Sequence, residues 1–122
     1  MTDNDYRRIM ATADSIGYEA ATSINPTPMH VVGHNHRTGE EKHYVVDDGM
    51  CGFAWVSIPG NTGLARYCRK HDIGHKGYPK GWHIWISAHG QSYERKQAHA
   101  RAMADYLRSV FDFPIYAQAR LD

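Results

Sequence analysis

Only two cysteines, Cys51 and Cys68, occur in the 122 residues. That is too few for a disulfide-dense scaffold, so a reducing compartment is the default. No apolar run approaches the roughly 20 residues of a transmembrane helix, so no membrane partner is expected. The acidic start, Met1-Thr2-Asp3-Asn4-Asp5, is unlike a signal peptide. Repeats and low-complexity stretches are missing, which excludes a coiled coil, a collagen-like chain and a disordered tail. Missing too are the dinucleotide fingerprint Gly-x-Gly-x-x-Gly, the P-loop and the Gly-x-Ser-x-Gly elbow, so no cofactor is expected. What remains is 42% hydrophobic and 22% charged, the composition of one globular domain.

The periodicity of that domain changes along the chain. Thr2 and Asp5 are placed as a capping box, and Tyr6, Ile9, Met10, Ala13 and Ile16 recur at helical spacing. Gly17 reads as the residue that ends this helix, unless Ala20 and Ala21 carry the stripe one turn further. After Pro26 and Pro28 the period becomes two. Strands are expected over 29–33, 43–47, 51–58, 81–87 and 115–121, with turns at 37–40 and 47–49. Asn61 is placed to cap a short helix through Leu64, Ala65 and Cys68, and Ser92 to cap the longest one, which runs to about Phe111. The order α-β-β-β-(α)-β-α-β implies an α+β domain: a mainly antiparallel five-stranded sheet with two principal helices packed on one face.

Net charge is nearly absent, at +1, but it is unevenly spread. Residues 1–61 carry −4 and residues 62–122 carry +5. The excess peaks at Arg66, Arg69, Lys70, Lys76 and Lys80, interleaved with Tyr67 and Tyr78 and followed by Trp82. Such a run suits phosphate contact plus base stacking, or simply a solvated loop.

Strand alternation sorts the remaining side chains into two sets. Ala54, Val56, Ile58, Ile84, Ile86, Ile115, Ala117, Ala119 and Leu121 are aliphatic and should face the helices. Phe53, Trp55, Ser57, His83, Trp85, Ser87, Tyr116, Gln118 and Arg120 occupy the other face. Large aromatics left in water invite association, so this second face should be covered. A second copy of the chain, the chain's own N-terminal segment, or a bound ligand or nucleic-acid base would each cover it. In the last case Trp55 and Trp85 stack or anchor, Arg120 pairs a phosphate or carboxylate, and Gln118 reads a polar edge.

The nine histidines invite metal hypotheses. Cys68, His71 and His75 have ligand types that zinc tolerates, but Gly74 weakens the helical geometry that H-x3-H needs. Asp47, Asp48, His43 and His83 would serve a metal-dependent phosphodiester hydrolase, although ordinary turn chemistry explains the two aspartates equally well. Otherwise the histidines scatter over strands, turns and helix. The acids before Cys51 argue against a thiolate nucleophile there.

Several stretches carry a resemblance. They are Pro28-Met29, Cys51-Gly52-Phe53-Ala54-Trp55-Val56, Pro59-Gly60, Ile84-Trp85-Ile86-Ser87 and Gln91-Ser92, then Lys96 with Ala98 and Ala100, and Arg120-Leu121-Asp122. Together they resemble a family of small proteins of tailed bacteriophages, over most of the chain from about residue 18. The stretch from Arg66 to His83 lies outside that pattern. The resemblance implies a phage origin and the cytoplasm of an infected bacterial cell, or a virion. Small phage proteins are often stoichiometric binders. The leading expectation is therefore a non-enzymatic, homo-oligomeric accessory protein, counter-defence included. It would bind a nucleotide, a nucleic acid or a host protein through Phe53, Trp55, His83, Trp85, Tyr116, Gln118 and Arg120. The alternatives are the hydrolase and a minor virion component.

Overall fold

The computed structural model describes residues 1–26, 28–34, 41–46 and 49–122, with the backbone alone described over 29–34 and 41–46. Helix α1 spans Asp3–Ser23. Its capping box forms as expected: Thr2 N–H donates to Asp5 Oδ2 at 2.9 Å, and Asp5 N–H donates to Thr2 Oγ1 at 3.2 Å. Strands β1, Met29–His34, and β2, Glu41–Val46, follow, then β3, Gly52–Ile58. Helix α2 covers Gly63–Lys70, and the short β4, His75–Lys76, leads to β5, Trp82–Trp85. Helix α3, Tyr93–Val110, and β6, Tyr116–Leu121, complete the order.

The architecture is α+β, with one correction. The expected five-stranded sheet divides into a β1–β2 pair and a separate four-stranded antiparallel sheet ordered β4-β5-β3-β6. β4 fills the edge beside β5. Its two residues are too few to leave an alternation signal in the sequence. The turn expected at 37–40, and residues 47–48 of that expected at 47–49, lie outside the described residues.

Two local signals were overridden by neighbours. Gly17 does not end α1; it lies inside it, where an added Cβ would overlap the His99 ring of α3. Met10, Ala13, Gly17 and Ala21 form the buried stripe of α1, and three small residues let the helix approach α3 closely. The cap of α2 is Thr62 rather than Asn61. Its hydroxyl accepts from Ala65 N–H at 3.2 Å and donates to Pro59 O at 2.9 Å, a double duty suited to a hydroxyl. Ser92 caps α3 as expected.

The core forms between sheet and helices. Ala54, Val56 and Ile58 of β3 and Ile84 of β5 are buried with Leu64 and Cys68 of α2 and Met103 and Leu107 of α3. α3 packs on β3 and β6, and α1 packs on α3. Burial pushes the Cys68 thiol up to about 12, so it is an inert core residue.

The Gly17 contact makes a signed prediction. In an ordinary helix interior, Gly→Ala stabilises by roughly 1 kcal/mol. Here Gly17→Ala should destabilise by about 1–3 kcal/mol through overpacking against His99. Urea denaturation measures this, and a stabilised variant would contradict the close α1–α3 approach.

Candidate functional site

The antiparallel register turns one face of the sheet into a grid. Phe53 pairs with Arg120. Trp55 pairs with Trp85 on one side and Gln118 on the other. Ser57 pairs with His83 and Tyr116, and His83 in turn with His75. Directly paired residues share a face, so all seven face residues singled out from the sequence come together here.

Within the grid the rings pack on one another. Trp55 and Trp85 stack with centroids 4.8 Å apart and planes 15° apart. His83 lies against Trp55 at 5.8 Å, and Phe53 meets Trp85 edge-on at 5.5 Å. Trp55 Nε1–H donates to Gln118 Oε1 at 2.8 Å. The two tryptophans therefore present ring edges rather than open faces to solvent. The free ring is Tyr116, 58% exposed.

Ser57 leaves a notch between Tyr116 and His83. Two interstrand spacings of about 4.8 Å separate the backbones of these neighbours, about 10 Å in all. A ring stacked on both sides at about 3.5 Å takes up about 7 Å, so that backbone spacing leaves room for one. The notch opens into a cleft of about 530 Å³ lined by Ser57, Pro59, Asn61, Lys80, Pro114 and Tyr116.

The opposite end of the face is cationic. The Arg120 guanidinium lies 5.4 Å from the Phe53 centroid and 5.7 Å from that of Trp85. Lys96, from the first turns of α3, rests its ammonium 5.7 Å from the same Phe53 ring. Lys96 is only 6% exposed. Among the described residues no carboxylate pairs with either cation, and the buried Trp85 Nε1–H has no hydrogen-bond partner. Lys96 is buried and Arg120 is exposed beside it; an unpaired buried charge is costly, so this corner is electrostatically suited to an anion. Lys96 was missed as a site residue. Its signal was available: a cation at helical spacing on the apolar stripe of His99, Ala100 and Met103.

The other candidates are dispersed. Three of the five expected cations, Arg66, Arg69 and Lys70, lie on helix α2, and each has a partner. Lys70 Nζ pairs with Asp3 at 2.7 Å, Arg69 lies 5.2 Å over Trp82, and Arg66 donates to Asn61 O at 3.3 Å. Of the aromatics interleaved there, Tyr67 and Trp82 belong to the core. All five cations of the expected patch are exposed; Lys80 joins the cleft at the notch and Lys76 lies in β4. The zinc set also separates, because Cys68 is buried while His71 reaches Asp3 at 3.4 Å and His75 joins His83. Among the described residues no metal-binding group of three forms. Asp47 and Asp48, and the side chain of His43, lie outside the described residues. The histidines nevertheless converge in two pairs, His75/His83 and His89/His99. Comparison with protein-family models, curated proteins and solved structures finds no match.

Burial, and next the proximity of His75, holds the His83 imidazole below its ordinary value of 6.5. The unfolded chain then takes up a proton that folded His83 resists, so stability is lost as pH falls from about 6.5 toward the folded value. The urea midpoint should be lower at pH 5.5 than at 7.5, and His83→Gln should reduce that difference. An unchanged or higher midpoint at pH 5.5 would contradict the packing described for His83.

Proposed function

We propose that the protein binds a single-stranded nucleic-acid segment across this sheet face. One base inserts between Tyr116 and His83 over Ser57, and a phosphate seats on Lys96, Arg120 and the Trp85 Nε1–H. The observation that carries the reading is the cationic corner, where buried charge and a spare donor await an anion. The distance between the two stations favours a chain over a mononucleotide. Four strand residues at about 3.4 Å each separate the Phe53 row from the Ser57 row, about 14 Å in all. Lys80 at the cleft supplies a further phosphate contact. Recognition of this kind relies on stacking and charge, and therefore tolerates many sequences. In a phage-infected cell, as the sequence resemblance suggests, such a module would act on host or phage transcripts or on displaced DNA.

Self-association is the second reading. β6 is an edge strand of the sheet, with Tyr116 and Leu121 exposed, and such an edge invites a second copy.

Binding is tested with a fluorescent eight-nucleotide uridine-rich RNA and its DNA counterpart. Both should bind and quench tryptophan emission. Affinity should fall with salt by about 0.7 log units per log unit of salt for each phosphate contact. Arg120→Ala and Lys96→Met should each flatten that slope by about one contact, and Ser57→Phe should weaken binding by blocking the notch. No binding, or salt-insensitive binding, would overturn the proposal. Dimerisation through β6 without oligonucleotide binding would favour the second reading.

A further inference from the structure

A second constellation adjoins the cationic corner. His99 of α3 is 1% exposed, and both of its ring nitrogens are engaged. Nε2 lies 2.9 Å from Asp14 Oδ1 on α1, and Nδ1 lies 2.9 Å from His89 Nε2. A carboxylate only accepts, so the direction of each bond follows. His99 donates through Nε2–H to Asp14, His89 donates through Nε2–H to His99, and the free lone pair lies on His89 Nδ1. That end of the chain accepts a proton without breaking either link.

The surroundings hold this arrangement in place. Gly17 leaves room for the His99 ring, and Tyr18 meets both imidazoles edge-on, at 5.2 Å to His89 and 5.0 Å to His99. His89 adopts φ +70°, a left-handed backbone uncommon for a residue with a side chain. A structural staple between α1 and α3 needs only Asp14 and His99; the second imidazole, in a strained backbone, is surplus to that. Burial, then the neighbouring His99, Arg95 and Lys96, keep His89 below the ordinary imidazole range, with Asp14 opposing them. The imidazole is therefore an unprotonated base at neutral pH, in a positive potential suited to an anionic substrate.

The relay approaches the cationic corner through Lys96, whose charge acts on His89. A cavity of about 120 Å³ beside the relay is lined by Asp14, Tyr18, His99 and Met103 together with Ile84 and Trp85 of β5 and the adjoining Ile86. Lys96, one turn before His99 on α3, reaches Phe53.

We infer that His89 is a general base acting on RNA held on this face, with His99 and Asp14 as its positioning residues; the inference rests on the nucleic-acid reading above. His89 Nδ1 takes the proton of a ribose 2′-hydroxyl, and the 2′-oxygen bonds to the adjacent phosphorus. The bond from phosphorus to the 5′-oxygen breaks, and water protonates that oxygen. The hydroxide left behind is neutralised by the proton released from His89. The products are a 2′,3′-cyclic phosphate and a 5′-hydroxyl. Lys96 stabilises the negative charge that gathers on the phosphorus oxygens.

The test incubates the full chain with end-labelled single-stranded RNA and the 2′-deoxy strand of the same sequence, both with EDTA. Only RNA should be cut, to cyclic phosphate ends. His89→Gln should lower the rate by about 10²–10⁴-fold while still binding the RNA. Asp14→Asn should slow cleavage and move the acid limb of the pH–rate profile to lower pH, a shift that a merely structural role would not produce. Bound but intact RNA, equal cutting of the deoxy strand, or cleavage indifferent to His89→Gln would overturn this inference alone. Absence of binding would overturn it together with the nucleic-acid reading.

Discussion

Everything in this molecule depends on the alternation of the central strand β3. Ala54, Val56 and Ile58 are buried to within 1% exposure against the helices. Because the pleat has a period of two, Phe53, Trp55 and Ser57 have only the other side to occupy. A slip of one residue would expose the aliphatic set and bury the aromatic one. Neighbours on both sides lock the register: Trp85 and Ile84 across β5, Arg120 through Tyr116 across β6. One physical constraint therefore builds the core and the candidate site together. Both are lost if it fails.

The face is organised more than a casual surface requires. Stacked tryptophans rigidify its middle, so the open features lie at its two ends: a notch over Ser57 and a cationic corner at Phe53. Preorganised rings lower the entropy lost when a ligand is ordered on them. The corner is held from two directions, Arg120 from the sheet and Lys96 from α3. It therefore senses the packing between these layers. The Asp14–His99–His89 chain is likewise built across layers, joining α1, α3 and the loop after β5.

Local rules made much of this readable in advance. Thr2, Asp5 and Ser92 are capping residues whose chemistry acts within one turn, and the structure uses them as expected. Alternation in residues 52–58 and 82–85 also depends only on neighbours in sequence, so the membership of the aromatic face was legible. What escaped depends on contacts distant in sequence. Gly17 looks like a helix terminator until His99 is known to lie upon it. Lys96 falls on the apolar stripe of α3 by spacing, but that its ammonium meets Phe53 depends on a contact distant in sequence. The pairing of His89 with His99 requires an uncommon backbone angle that no spacing announces. β4 is too short for any periodicity to reveal.

The central claim is that the cationic corner receives a phosphate of a single-stranded nucleic acid. The three tryptophan side chains offer a measurement with its own controls. Trp82 Nε1–H is bonded to Ile73 O at 2.6 Å in the core, Trp55 Nε1–H is bonded to Gln118, and Trp85 Nε1–H has no described partner. In a ¹H–¹⁵N spectrum titrated with a short single-stranded oligonucleotide, the Trp85 indole signal should move downfield as it gains an acceptor. The Trp82 signal should stay in place. A Trp85 signal that does not move, or a spectrum in which Trp82 shifts as far as Trp85, would contradict the account.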